Sequence, residues 1–575
     1  MIETGMKPLP IGISFFDKMI EKGYYYVDKT LLIKEILDKN AEVNLFTRPR
    51  RFGKTLNMRM LQCFFEDTRE TTGKDAASLF NGLKIMAAGE QYTSLIGQYP
   101  VIFLTFKDTR QLSFESAFTV LKNGIADEFG RHKYILKNEK FIEKKEQYEC
   151  IMRGNGDMRE YGNALKFLSE CLSIHHGKKA IILIDEYDVP LEASWANHYY
   201  SDMVNFIRSL LGMALKDNPF LEFAAITGCL RISKESIFTG LNNLAVNSIR
   251  GSDYTEYFGF TPEEVTEILG FYRLESHSGM IKDWYDGYLF GNCEVYNPWS
   301  LINIVKDLCS DKNRLPEPYW ANTSSNSIVR MLIDKSDDAA RADLDTLIAG
   351  GTIKKIIHED ITYDESDISP LEKSIDNIWN FLFFTGYLKK TSEHADSQDN
   401  LVLGLTIPNK ELFCIYRNKI QEWFKETIEQ QDLSSLYTAI LEGNAQTFED
   451  ELSALLLNSI SFYDSRENFY HGFLTGVLAK AKGYLVKSNR ESGNGRSDIF
   501  MKNVSAKGKA VVFELKAAQN MQELSAKCDE ALRQIEEKKY IHELEQDGYQ
   551  HILKYGIAFC RKDCMVKMAD STIRE

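Results

Sequence analysis

Gly53-Lys54-Thr55 ends the segment Arg48-Pro49-Arg50-Arg51-Phe52-Gly53-Lys54-Thr55-Leu56, which follows the apolar run Val43–Phe46 and precedes Leu56, Met60, Leu61 and Phe64 at helical spacing. Strand, loop ending in Gly-Lys-Thr, then helix is the setting of a phosphate-binding loop, the Walker A arrangement. Backbone N–H groups at the helix start would face a β-phosphate, Lys54 would reach β/γ oxygens, and Thr55 would offer its hydroxyl to Mg²⁺. Arg50 and Arg51 add positive charge. Arg48 stands where the pattern G-x-x-x-x-G-K-[ST] has its first glycine, a change that restricts the turn and points to binding without fast turnover.

Further along, Ile181–Ile184 ends in Asp185 and Glu186. A buried strand presenting consecutive acids is the Walker B arrangement: Asp185 is expected to hold Mg²⁺ through water and Glu186 to polarise the attacking water. Leu221–Thr227 reads as another strand. Thr227 at its end is a candidate sensor of the γ-phosphate, and Arg231 a candidate charge for the transition state. The competing reading is a plain strand-to-loop turn with a surface arginine.

A second set of candidates lies near the C-terminus. Asp498 falls on a strand around Ser497–Met501, and Glu514 and Lys516 fall two apart, on one face, of a strand Ala510–Lys516. A carboxylate facing Glu-x-Lys across a hairpin suits metal-dependent phosphodiester hydrolysis: Asp498 and Glu514 hold Mg²⁺, and Lys516 orients the water or stabilises extra negative charge. Ala510–Phe513 is apolar, so this strand is buried and its charges need partners.

The elements needed to position these groups imply an α/β chain of three domains, 1–270, 271–455 and 456–575. The first requires a parallel sheet, to which Tyr99–Lys107 contributes a further strand. Tyr24, Tyr25 and Tyr26 admit two uses, adenine stacking or core packing. In the second, Trp284, Tyr285, Tyr288 and Phe290 are expected to pack a helical lid on the first. Asp376–Pro408 then reads as a helix and a two-stranded hairpin, the end of a winged helix, whose Ser392–Asn400 loop is acidic and unsuited to phosphate.

With 575 residues, 44% of them hydrophobic, the chain can build several cores. Its net charge of −14 argues against a surface coated for nucleic acid, but Tyr470–Glu575 carries 18 Lys/Arg against 14 Asp/Glu. The ten cysteines show no zinc-site spacing and read as thiols in a reducing compartment. MIETGMKPLP holds no apolar signal core, and no run of about 18 apolar residues occurs, so a cytoplasmic protein without membrane contact is expected.

RPRRFGKTL, AIILIDEYDVPL, ITGCLRISKESIFTGLNNL, EYFGFTPEEV, WYDGYLFGNCEVYNPWSL and YWANTSSN together resemble the AAA-ATPase-like family of bacterial proteins, to which a nuclease-like C-terminal domain is typically fused. The resemblance implies an N-terminal P-loop ATPase whose arginine-bearing loop, Arg48 to Leu56, binds ATP. The Asp498, Glu514, Lys516 set is similar to the PD-(D/E)xK nuclease superfamily, with Gly495-Arg496-Ser497-Asp498 in place of the usual Pro-Asp, and so implies a restriction-endonuclease-like fold. Within it Glu467 is expected to complete the metal site, and Gln534 resembles the Gln-Ile helix of related nucleases. ATP, Mg²⁺ and DNA are the implied ligands, in defence or mobile-element control. The alternatives are a nucleotide-switched interaction protein with an inactive nuclease fold, or an ATPase acting on a protein partner or as a homo-oligomer.

Overall fold

The strands β1 (Val43–Thr47), β2 (Val101–Thr105), β3 (Ala180–Asp185), β4 (Leu221–Gly228) and β5 (Leu244–Asn247) form one sheet in the order β2-β3-β4-β1-β5. Its pairings are all parallel. The first four read as near-continuous apolar runs because helices cover both faces of a parallel sheet. Helices Lys54–Phe65, Phe114–Arg131, Ala164–His176 and Tyr200–Leu215 lie on the crossovers that parallel pairing demands. β4 lies between β1 and β3, so the loop after β1 and the acids at the end of β3 flank the end of β4. β5, four mostly half-buried residues at the sheet edge, has no signal of comparable length in the sequence.

This computed structural model describes residues 6–569 except 233–236, 239–240, 323–337, 359–370, 420–431, 458–466, 489–497, 538–543 and 561–562. The chain divides into two compact units, Met1–Ile328 with Lys354–Ile415, and Val329–Ile353 with Tyr416–Glu575. Of residues 271–455, 271–328 and 354–415 fall in the first unit and 329–353 and 416–455 in the second.

In the first unit residues 271–322 form helices and the hairpin β6 (Tyr288–Phe290) and β7 (Cys293–Val295). Tyr285, Tyr288 and Phe290 are buried, as packing residues should be. Tyr25 packs on Phe271 and Tyr272, and Tyr26 packs edge-on against Phe16 and points its hydroxyl at the Met60 sulfur. These two tyrosines therefore serve the core. Helix Leu371–Phe384 is followed by an antiparallel hairpin, β9 (Lys389–Ala395) and β10 (Leu401–Thr406), with β8 (Ile353–Ile356) on the other side of β10. Ser392–Ala395, expected in the loop, extends β9.

The second unit carries a sheet in the order β11 (Tyr484–Ser488), β12 (Asp498–Asn503), β13 (Lys509–Ala517), β14 (His551–Cys560) and β15 (Asp563–Met568). Only the β13–β14 pair is parallel. Alternation along β12 and β13 sends Ile499, Met501, Val511, Phe513 and Leu515 into a core with the helices Ser434–Glu442, Ala445–Leu457 and Glu467–Leu478, while Phe500, Ala510 and Val512 pack with Ile535 and Leu544 on the opposite face. Among the described residues no helix is long and apolar enough to cross a membrane.

Candidate functional site

In the first unit the chemistry gathers where β1, β3 and β4 end. Gly53 has φ +83°, a conformation that favours glycine, and helix Lys54–Phe65 begins at once with no side chain capping it. Its first-turn N–H groups thus have no side-chain acceptor competing for them, as anion binding at a helix start requires. The Lys54 ammonium donates to the carbonyls of Arg48 (2.8 Å) and Pro49 (2.9 Å) and lies 3.6 Å from the Cys229 sulfur. Thr55 Oγ1 donates to one oxygen of Asp185 at 2.7 Å, and Thr227 Oγ1 donates to the other at 2.6 Å. Asp185 is thereby fixed from both sides across the top of the sheet.

Glu186 follows with φ +57°, a left-handed backbone that a glutamate rarely adopts, and its N–H donates to Thr227 Oγ1 at 3.3 Å. Burial raises its pKa. Asp185 and Asp188 push the same way, against the pull of Lys54 and Arg50. A half-buried carboxylate of raised basicity, beside a carboxylate held by two hydroxyls, suits a water-activating base.

Several expected ligand residues have other duties. Arg48 is fully buried. Its guanidinium donates to the carbonyls of Asn247 (2.5 Å), Thr47 (3.0 Å), Asp253 (3.4 Å) and Tyr254 (3.4 Å) and lies near the Phe258 and Phe290 rings. Burial pulls its pKa down to about 9. It braces the loop from beneath rather than facing phosphate. Phe52 is also fully buried, its ring 4.9 Å from Tyr288 and 5.2 Å from Phe290, so it anchors the loop to the β6–β7 hairpin. Arg51, at φ +70°, is exposed and stacks 4.5 Å over Trp299.

Arg50 pairs with Glu192 at 2.6 Å, an oxygen that Arg110 also reaches at 2.9 Å. Leu56 is the third residue of the loop helix and half-buried. Thr227 is buried against Asp185, and the side chain that borders Lys54 beyond β4 is Cys229. Arg231 acts on the Tyr187 phenol. Tyr187, Asp188, Glu192 and Cys229 were not among the sequence candidates. The signal for Tyr187 and Asp188 was the unbroken Asp-Glu-Tyr-Asp run.

In the second unit, register places Asp498 directly opposite Glu514 on the antiparallel β12–β13 pair. Positions so opposed share a face of the sheet. Glu514 is fully buried, and Lys516, two residues on and nearly buried, donates to its Oε1 at 3.2 Å. Helix Leu524–Glu537 covers this face. Its Glu530 feels the charge of Lys516, and Gln534 stands one turn further on. Glu467 is the first residue of helix Glu467–Leu478, which packs on the other face of the sheet. Gly495, Arg496 and Ser497 lie outside the described residues.

The first unit is thus an α/β unit built on a five-stranded parallel sheet, with a Gly-Lys-Thr loop after one strand and a braced acid at the end of another, and the second sheet is consistent with a nuclease-like domain. Residues 10–238 match the family model described as predicted AAA-ATPase, and residues 465–569 match the PD-(D/E)XK nuclease superfamily. The chain thus carries an AAA-ATPase-like domain and a C-terminal PD-(D/E)XK nuclease superfamily domain. It is also similar to an uncharacterized protein in the vnfD 5′ region of Azotobacter chroococcum mcd 1, 27% identical over 326 residues, or 56% of this chain and 54% of that one. The chain spans about half the length of this curated relative.

Proposed function

We propose that the first unit binds and hydrolyses ATP with Mg²⁺, and that it controls a Mg²⁺-dependent nuclease acting on DNA, in defence or mobile-element control. The observation that carries the first part is the clamping of Asp185 between Thr55 and Thr227. Two hard oxygen donors 2.7 Å apart, the Thr55 hydroxyl and the Asp185 carboxylate, fit Mg²⁺. When bound, the ion neutralises charge on the phosphate oxygens. Lys54 exchanges its two loop carbonyls for phosphate oxygens, and Glu186 takes the proton of the attacking water. In the second unit, Asp498 and Glu514 supply the carboxylates for a metal, and Lys516 orients the water or steadies the extra negative charge.

Purified protein with Mg²⁺, labelled ATP and DNA tests both halves. Lys54→Ala is expected to lose nucleotide binding, and Asp498→Ala to lose strand scission. An unchanged ATP affinity in the first, or equal cleavage in the second, refutes the corresponding assignment. One feature favours a second reading, a nucleotide-operated switch with slow turnover: Lys54 and Arg50 are both engaged by protein groups and must release them to meet phosphate. ATP binding coupled to tight nucleic-acid or protein association, with no scission under any divalent metal, would favour that reading. Turnover stimulated by a protein and indifferent to DNA would instead mark an ATPase with a protein partner.

A further inference from the structure

The Asp-Glu-Tyr-Asp run does more than present two acids. Beyond Glu186 the chain turns back over β4. The Tyr187 hydroxyl donates to the Leu230 carbonyl at 2.7 Å and accepts the Ile232 N–H at 3.1 Å. The Asp188 carboxylate accepts the N–H groups of Cys229 at 2.7 Å and Leu230 at 3.1 Å. Four hydrogen bonds therefore tie the segment Cys229–Ile232 to the two residues after the water-activating glutamate. Both side chains are buried, Tyr187 completely, so these bonds are shielded from water.

Sterics point the same way. A methyl group on Gly228 would lie 2.6 Å from a Tyr187 ring carbon and 2.9 Å from an Asp188 oxygen. The end of β4 is thus pressed against this pair, and no larger residue fits there without displacing it. Cys229 follows Gly228, and its sulfur borders the Lys54 ammonium. The segment is not tied to the loop after β1 by these bonds. Its place beside Lys54 is set from the β3 side.

We infer that Tyr187 and Asp188 are positioning residues for ATP hydrolysis: they hold Cys229–Ile232 over the end of β4, so that Cys229 walls the phosphate site at Lys54 and Arg231 is carried in a set place. This rests on the ATPase reading above. It adds that the loop after β4 is registered on the second half of the run Asp185–Asp188, whose first two residues are assigned to metal and water, so misplacing it lowers the chemical step more than nucleotide binding.

The test is ATP binding and steady-state hydrolysis by the full chain, with Asp188→Asn, Asp188→Ala, Tyr187→Phe and Gly228→Ala. Expected is a fall in kcat of about 10- to 100-fold with ATP affinity within about threefold of wild type. Asp188→Asn, which keeps one acceptor oxygen, should sit between wild type and Asp188→Ala. Alkylation of Cys229, followed by peptide mass spectrometry, should quicken in Asp188→Ala as the segment lifts from its clamp. Tyr187→Phe removes a single hydroxyl, so a folded variant is secured if Asp188→Ala does not fold. Unchanged kcat in Tyr187→Phe and Asp188→Asn, with active wild type, overturns the inference and leaves the ATPase reading standing. A wild-type protein that neither binds nor hydrolyses ATP overturns both, and equal losses of affinity and kcat reduce the pair to structural support and overturn it too.

Discussion

Glu186 joins an unusual backbone to a raised pKa, and both bear on its chemistry. A base must be ionised, so hydrolysis should fall as pH drops through its pKa, and that limb should lie above the ordinary glutamate value near 4.3. Glu186→Gln should abolish the limb, keep ATP binding and lower kcat by about 100-fold or more, as read by a pH–rate profile. The linkage sign is the reverse of a salt-bridged acid: the folded chain holds this proton more tightly than the unfolded one, so ionisation costs stability as pH rises. Arg48 is the opposite kind of residue. Arg48→Met would strand the carbonyls of Asn247 and Thr47 and should cost about 2–4 kcal/mol in denaturant unfolding, with nucleotide binding lost as the loop slackens. Its positive charge suggested an anion ligand, but what decides its role is burial, which no single position in a sequence displays.

At the scale of elements, the loop Arg48–Thr55 is held by the elements around it. Gly386, at φ +86° in the turn between helix Leu371–Phe384 and β9, abuts Pro49, where an added methyl would approach to 3.0 Å. Pro49 also supplies a carbonyl to Lys54. Gly386→Val should therefore weaken ATP binding about tenfold by isothermal titration, although residue 386 is not in the loop. Glu411 is a second joint: its buried carboxylate accepts Ser300 Oγ and the Trp320 N–H, each at 2.9 Å, and burial raises its pKa from 4.5 to about 7. Because the folded pKa is the higher, its contribution is full below pH 4.5 and is lost as pH rises through 7. Glu411→Gln should flatten that slope in pH-dependent melting, an effect on the order of 3 kcal/mol at most.

The whole molecule comprises two units with separate cores, and this predicts two unfolding transitions in calorimetry. Mg²⁺-ATP should raise the midpoint of one transition and leave the other in place, while Phe513→Ala, in the second core, should lower the other by several degrees. A single transition responding to both would show that the units unfold as one. Charge does not follow this division: the surplus of four positive side chains is confined to Tyr470–Glu575, within an acidic chain.

Much of this was legible in the residues themselves. Val43–Phe46, Ile181–Ile184 and Leu221–Thr227 are mostly apolar because they lie inside a parallel sheet, and strands of that kind announce themselves without neighbours. Glu514 and Lys516 likewise declare a shared face through the period of two. What the sequence could not carry was the company each side chain keeps. The burial of Arg48 and Phe52, the turning of Thr227 toward Asp185, the presence of Cys229 beside Lys54 and the grip of Tyr187 and Asp188 on the next loop all join residues tens to hundreds of positions apart. Periodicity reports which way a side chain points from its own strand; strand order decides what it meets there, and β4 placed between β1 and β3 is what made one site of three separate motifs.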